Sequence, residues 1–122
     1  MENVLSLKKA KEPEDLAKYF MVYANAGDVE GLVSLYESDA VLSVGNGKFA
    51  AGHEAIRLFY AELLSSKPVF TPGVQSPAIR KGNIALTSSR LDNGNFTAEI
   101  ARQQSDGSWL WAVDQPAIGK IQ

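Results

Sequence analysis

The segment that most constrains the fold of this chain runs from residue 25 to residue 42 and reads NAGDVEGLVSLYESDAVL. Gly27 suits the left-handed conformation that ends a helix, and Asp28 can cap a second helix through its side-chain oxygen. A stop and restart within two residues predicts two helices packed at an angle. Asp39 then precedes a short apolar run that is typical of a strand, so a sheet is predicted to follow the helices.

Three helices are predicted in the N-terminal half. Pro13 suits the first helical position, where its missing N–H costs nothing, and Lys67-Pro68 ends a third helix that is predicted over His53 to Ser65. The apolar positions at helical spacing are Leu16, Phe20, Tyr23 and Ala24 in the first helix, Leu32, Val33, Leu35 and Tyr36 in the second, and Ile56, Phe59, Tyr60, Leu63 and Leu64 in the third. Each helix therefore has one face to bury.

The C-terminal half changes to the alternating period of strands. Strands are predicted over residues 39–44, 84–91, 96–104 and 108–114, with Gly-containing turns between them. Pro72, Gly73 and Pro77 predict a kinked edge strand over residues 69–80, because proline cannot donate to a sheet. The fold class is therefore α+β, with three N-terminal helices covering one face of an antiparallel sheet.

Composition excludes several classes of protein. The 122 residues suit one domain, predicted as a flexible N-terminal arm over residues 1–12 and a single domain over residues 13–122. A net charge of −2 gives no basic surface for nucleic acid, and the absence of cysteine excludes thiolate chemistry and disulfides. No apolar run is long enough for a membrane span, and a cytoplasmic location is the default expectation.

Four segments, in this order, carry a resemblance to a known superfamily: AGDVEGLVSLYESDAVL, GHEAIRLFYAELL, GNIALTSSRL and RQQSDGSWLWAVDQP. Together they resemble the nuclear transport factor 2-like superfamily, in its SnoaL-like and ketosteroid-isomerase-like branch. The resemblance implies a cystatin-like cone, in which three helices wrap a strongly curved antiparallel sheet of four to six strands. It also implies a mostly apolar internal pocket and frequent dimerisation through the outer face of the sheet.

The strand pattern independently favours a homodimer. Simple alternation places Trp109, Trp111 and Val113 opposite Leu110, Ala112 and Asp114, and places Phe96, Ala98 and Ile100 opposite Thr97, Glu99 and Ala101. One face is then strongly apolar, and the other is mixed rather than fully polar. A half-apolar sheet face commonly packs against a partner.

The resemblance also allows a comparison with the ketosteroid isomerase site, which uses a carboxylate base and an oxyanion hole made by a tyrosine and a protonated acid. The base position falls near Val44, the tyrosine position near Phe20, and the acid position near Glu99. A steroid isomerase reaction is therefore not expected, since the base is replaced by an apolar side chain.

Two carboxylates remain as candidate catalytic residues. Glu99 is either a cavity acid with a raised pKa or a surface carboxylate paired with Arg90 or Arg102. Asp114 is either an acid or hydrogen-bond acceptor at the pocket mouth or the residue that ends the last strand by bonding backbone N–H groups.

No other catalytic or metal-binding pattern is evident. His53 is the single histidine and is expected to be an exposed residue near a helix cap; no metal site and no cofactor are predicted. The candidate ligand-binding side chains are Tyr19, Phe20, Tyr23, Tyr36, Phe59 and Trp111. Three functions stay open: binding of a small apolar or aromatic metabolite, an isomerase, cyclase or hydratase reaction using a pocket acid or tyrosine, and a dimerisation or association module without catalysis.

Overall fold

The break between the first two helices follows the sequence closely. The computed structural model describes residues 8–119, in which α1 (Asp15–Asn25) ends before Gly27, whose φ is 69°. Asp28 caps α2 (Val29–Val33) by accepting a hydrogen bond from the Gly31 N–H over 2.9 Å. The predicted stop and restart of the helices are confirmed.

One further helix and eight strands complete the described chain. Helix α3 (Gly52–Leu64) begins one residue before the predicted start. The strands are β1 (Tyr36–Gly45), β2 (Lys48–Ala51), β3 (Val74–Gln75), β4 (Ile79–Lys81), β5 (Ile84–Thr87), β6 (Ser89–Arg90), β7 (Phe96–Gln103) and β8 (Trp109–Ile118). The prolines at positions 68, 72 and 77 leave only two short strands, β3 and β4, between residues 68 and 81, as the edge prediction implied.

The sheet is mixed, so the prediction of an antiparallel sheet of four to six strands is wrong in these two details. Its order is β2-β1-β8-β7-β5-β4, with β6 pairing both β3 and β7, and β1 lies parallel to β8. The sequence argument treated only consecutive strands, whereas β1 and β8 come from opposite ends of the domain. The predicted α+β class with three helices is confirmed.

Two predicted boundaries are also wrong. Tyr36 does not belong to α2 but begins β1, because Trp111 N–H donates to the Leu35 carbonyl and pairs Tyr36 with β8. Asp114 does not end the last strand, since β8 continues through Pro116 to Ile118. Pairing with the neighbouring strand extends both β1 and β8 beyond their apolar runs.

The core lies between the helices and the inner face of the sheet. Its fully buried members include Leu16, Leu32, Leu42 and Ile56. The predicted flexible arm falls mostly outside the described residues; within them, Ala10 is buried and pairs with Trp109 in an isolated bridge. No helix between residues 8 and 119 combines the length and the apolarity that spanning a membrane requires.

Candidate functional site

A cavity of about 550 Å³ opens between α1, the segment that precedes β3, and the inner face of β7 and β8. This volume lies within the range of sites that hold small organic ligands, about 300–1,000 Å³. Its walls include Phe20, Phe70 and Trp111, together with the carboxyl group of Glu99. Most of the lining surface is apolar, and polar side chains from several elements interrupt it.

The apolar wall is built from aromatic rings at edge contact. The Phe20 ring lies 5.9 Å from Phe70, 6.1 Å from Tyr60 and 6.2 Å from Trp111, measured between centroids. Such tilted and edge-on pairs stabilise one another beyond the area they bury. The indole N–H of Trp111 is buried and has no hydrogen-bond partner among residues 8–119. The aromatic rings therefore form a continuous apolar wall.

Glu99 contributes a buried carboxyl group to the lining of the cavity. Its side chain is buried, and the Thr87 hydroxyl donates to Oε1 over 2.6 Å. Burial raises the pKa of Glu99, and hydrogen bonds from Thr87 and Thr97 partly offset that effect. The alternative of a surface ion pair with Arg90 or Arg102 is wrong, because Glu99 is buried and forms no ion pair among residues 8–119, and Arg102 pairs with Glu37 at 3.0 Å.

Asp114 lies directly opposite Glu99 in the β7–β8 register, so both carboxyl groups share the inner face. The Tyr36 hydroxyl donates to Asp114 Oδ2 over 2.5 Å, and the hydroxyls of Tyr36 and Tyr60 lie 2.7 Å apart. Burial first and the Glu99 carboxylate second raise the pKa of Asp114 to about 7, although the Tyr36 hydrogen bond acts in the opposite direction. The Asp114 side chain thus accepts a hydrogen bond from a tyrosine hydroxyl rather than from backbone N–H groups.

The tyrosine hydroxyls form a chain of donors that ends on Asp114. Because Tyr36 donates to Asp114, the Tyr60 hydroxyl must donate to Tyr36. Burial raises the pKa of both phenols, and the nearby negative charge of Asp114 raises it further. Both tyrosines therefore stay protonated at every ordinary pH and act as hydrogen-bond donors.

A bulge at Ala112 brings Asp114 to this face. Ala101 pairs with Trp111 and Ile100 pairs with Val113, so Ala112 is an extra residue in β8. One extra residue reverses the alternation that follows it. As a result Val113 points outward and is 48% exposed, while Asp114 points inward and is 4% exposed.

The other predicted ligand-binding residues lie at different depths. Phe20 and Trp111 line the cavity. Tyr36 is fully buried beneath it, and the hydroxyl of the buried Tyr23 accepts a hydrogen bond from the Lys8 N–H over 3.0 Å, away from the lining. Tyr19 and Phe59 are half-buried and pack against the core without lining the cavity.

The remaining predictions concern His53 and Val44. His53 is half-buried, and its Nε2 lies 2.7 Å from the Tyr36 carbonyl oxygen, where the protonated nitrogen donates. Val44, which the sequence resemblance placed near the isomerase base, is half-buried and packs against the core. Among residues 8–119 there is no cluster of three potential metal ligands.

Sequence reasoning missed Thr87, Thr97 and Phe70. The two threonines occupy inward positions of β5 and β7, where alternation alone could have placed them beside Glu99. Phe70 lies in a segment without regular structure, and no periodic signal marks it. Tyr60 was expected only as a packing residue of the third helix.

The chain shares its fold with solved structures of low sequence identity. A ketosteroid isomerase-like protein from Erwinia carotovora atroseptica superposes with a TM-score of 0.69 at 17% identity, over 84% of this chain and 89% of that one. A candidate calcium/calmodulin-dependent protein kinase type II association domain from Thiobacillus denitrificans reaches 0.75 at 12% identity, over 94% and 99%. A candidate dehydratase of the nuclear transport factor 2-like family from Streptomyces avermitilis reaches 0.66 at 13%, over 84% and 90%.

Other solved structures with this arrangement are described as having a cystatin-like fold. No protein-family model and no curated protein matches the sequence. At these identities the likeness establishes the fold alone. The cystatin-like fold that the resemblance implied is therefore confirmed.

Proposed function

We propose that this protein binds a small, mostly apolar or aromatic molecule that carries one hydrogen-bonding oxygen. The cavity of about 550 Å³, whose lining combines aromatic rings with the carboxyl group of Glu99, carries the proposal. Glu99 can offer a hydrogen bond when protonated and accept one when ionised, so it selects a ligand with a hydroxyl or carbonyl group. The rings of Phe20 and Trp111 supply the contact area.

Filling the cavity tests this proposal. Ala17 lines the cavity from α1, so Ala17→Phe should weaken binding of a neutral aromatic alcohol, such as naphthol, by about tenfold or more. Naphthol fluorescence titrations would measure the dissociation constant. Ala61→Phe, at an exposed position of α3, is the matched control and should leave binding unchanged. Equal binding by both variants would place the ligand elsewhere.

A second candidate function is an acid–base reaction on the bound molecule, favoured by the pair of buried carboxyl groups on one face. Glu99 reaches the cavity directly, while Asp114 lies behind it, and the Glu99 carboxylate raises the pKa of Asp114. Two interacting carboxyl groups whose pKa values are raised are a common arrangement for proton transfer near neutral pH. Asp114 would act through Glu99 rather than on the ligand.

Glu99→Gln tests the reaction separately from binding. In D₂O, a set of naphthols and cyclic ketones would be followed by NMR for incorporation of deuterium. The variant should lose about 10²–10⁴-fold in exchange rate while it still binds naphthol. An unchanged rate in Glu99→Gln would remove Glu99 from any chemistry.

We also propose that two copies associate through the outer face of the sheet. An apolar stripe crosses five strands there, because the register places these outward side chains opposite one another: Ile79, Leu86, Ile100, Val113 and Val41. Strands about 4.8 Å apart give a stripe about 20 Å long. Together with the side chains that flank it, a stripe of this length fits an interface that buries roughly 800 Å² on each partner.

The occupant that fits best is a second copy of the same chain. The stripe lies near the centre of the face, and the opposite charges of Arg102 and Glu37 lie beside it. A two-fold axis through the stripe would bring the same side chains together. One solved structure that shares this fold is a candidate kinase association domain.

A charge in the stripe tests the dimer. Leu86 is 41% exposed, and Leu86→Glu should convert the dimer to a monomer at micromolar concentration, because paired carboxylates would be buried at the interface. Light scattering after size exclusion would measure the mass. Leu58→Glu, at a 63% exposed position on α3, is the control. A wild-type monomer at that concentration would contradict the proposal.

A further inference from the structure

Residues 68–73, here called the strap, separate the cavity from solvent. Five consecutive residues of the strap, 69 to 73, line the cavity opposite α1. Its outer side is open to water, since Val69 is 85% exposed, whereas the Phe70 ring turns inward against Phe20. The strap contains no helix or strand, so it depends on other contacts for its position.

Side chains hold the middle of the strap at two points. Asn25, at the end of α1, donates from Nδ2 to the Phe70 carbonyl over 3.0 Å and accepts from the Phe70 N–H over 2.8 Å. The Thr71 hydroxyl donates to Asp92 over 3.1 Å. Among residues 8–119, the Asn25 amide is the only hydrogen-bond partner of the strap backbone between residues 68 and 73.

The two ends of the strap are fixed by the backbone itself. Lys67 has a left-handed φ of 54°, and its N–H donates to the Leu64 carbonyl over 3.0 Å. A Cβ at Gly73 would lie 2.7 Å from the Arg90 carbonyl oxygen, so only glycine allows this close approach. Pro68 and Pro72 stiffen the segment between these ends. The strap therefore has firm ends and a middle attached through exposed side chains.

We propose that the strap is the gate of the cavity and that Asn25, with Thr71 and Asp92, is the latch that holds it closed. Exposed hydrogen bonds open more readily than packed strands, so this wall is the lowest-cost path for a ligand. When the latch releases, Phe70 moves away from Phe20 and the cavity opens beside α1. Asn25 is a positioning residue, because it contacts the strap and does not line the cavity. This inference rests on the proposed ligand cavity.

The test uses variants that weaken the latch in steps. Asn25→Asp keeps the acceptor for the Phe70 N–H but loses the donor, Thr71→Val removes the second contact, and Asn25→Ala with Thr71→Val removes all of it. Each lost hydrogen bond should shift the opening equilibrium about fivefold. Gln103→Ala is the matched control, because it removes an exposed amide bond to the Gly107 carbonyl on a distant hairpin.

Acrylamide quenching of tryptophan fluorescence gives a readout that requires no ligand. Trp111 lines the cavity, so its quenching constant should rise by about twofold or more in the double variant and stay unchanged in Gln103→Ala. Trp109 also fluoresces, but it is buried away from the cavity. Its contribution to the quenching should therefore be the same in all the variants. A folded double variant with wild-type quenching would overturn the gate.

Ligand kinetics separate a gate from a wall that merely supports the site. Naphthol association and dissociation rates should both rise about fivefold in Asn25→Asp, whose position does not line the cavity, while the dissociation constant stays nearly unchanged. A larger dissociation constant with an unchanged association rate would overturn the gate. Increased quenching without naphthol binding would sustain the gate and reject the proposed ligand class, so the two failures are distinguishable.

Discussion

The wild-type protein is expected to lose stability as the pH rises from about 4 to about 7, and the Asp114→Asn variant is expected to lose much less. Asp114 is buried, and its pKa is raised from the ordinary value of 3.8 to about 7. Between these values the folded chain holds a proton that the unfolded chain has released. The free energy of unfolding therefore falls with pH across this window.

The size of the effect follows from the same pKa values. A difference of one pKa unit corresponds to about 1.4 kcal/mol, so the rise from 3.8 to about 7 corresponds to about 4 kcal/mol. This contribution is fully present below pH 4 and is lost above the pKa of the folded state. Asparagine has nearly the same shape, can accept from Tyr36 and does not ionise, so Asp114→Asn should be more stable than wild type above pH 7.

Urea unfolding followed by tryptophan fluorescence, at intervals between about pH 4 and pH 8, measures this dependence. Asp106→Asn is the control, and it should leave the slope between pH 4 and pH 8 unchanged. Asp106 is exposed, and hydrogen bonds from Lys9 and Ser108 lower its pKa below 3.8, so its contribution to stability is lost only below about pH 4. A wild-type curve that rises from pH 4 to pH 7, or an Asp114→Asn curve parallel to wild type, would contradict the assignment.

Local signals in the sequence predicted the helical half of the fold well. Gly27 and Asp28 act at the positions where their backbone and side-chain chemistry placed them, because helix ends depend on neighbouring residues only. The prediction that Tyr36 belongs to the second helix was wrong for the opposite reason. Its hydrogen-bonding environment comes from β8, about seventy-five residues later in the chain, and no local pattern encodes that pairing.

The candidate site was predicted in part, and the limit was strand parity. Glu99 was recognised as a candidate, but simple alternation put Asp114 on the face opposite Trp111. The bulge at Ala112 returns Asp114 to the inner face, beside Trp111 and across from Glu99. A bulge depends on how two strands fit together, so the sequence of β8 alone could not reveal it. The carboxyl pair is therefore a result of tertiary structure.

Gly31→Ala is expected to destabilise the protein by about 2–4 kcal/mol, although helix propensity alone predicts a gain of about 1 kcal/mol at this position of α2. A Cβ at Gly31 would lie 2.5 Å from Tyr23 Cδ1 and 2.8 Å from Asp28 Oδ2. Tyr23 is buried, and its hydroxyl already accepts from the Lys8 N–H, so the ring cannot move freely. Moving Asp28 would weaken the helix cap, which contributes about 1 kcal/mol.

A double-mutant cycle with Tyr23→Leu separates the clash from the effect of propensity. Leucine removes the ring atoms that the new Cβ would meet, so Gly31→Ala in that background should cost less than about 1 kcal/mol. Urea midpoints with unchanged slopes would measure both steps. A higher midpoint for Gly31→Ala in the wild-type background would contradict this prediction. Helix propensity would then outweigh the clash with Tyr23, and α1 and α2 would not be held as closely as the contact between Tyr23 and Gly31 indicates. Helix α1 carries Phe20, which lines the cavity, and Asn25, which bonds the strap. Gly31→Ala should therefore also raise the acrylamide quenching of Trp111.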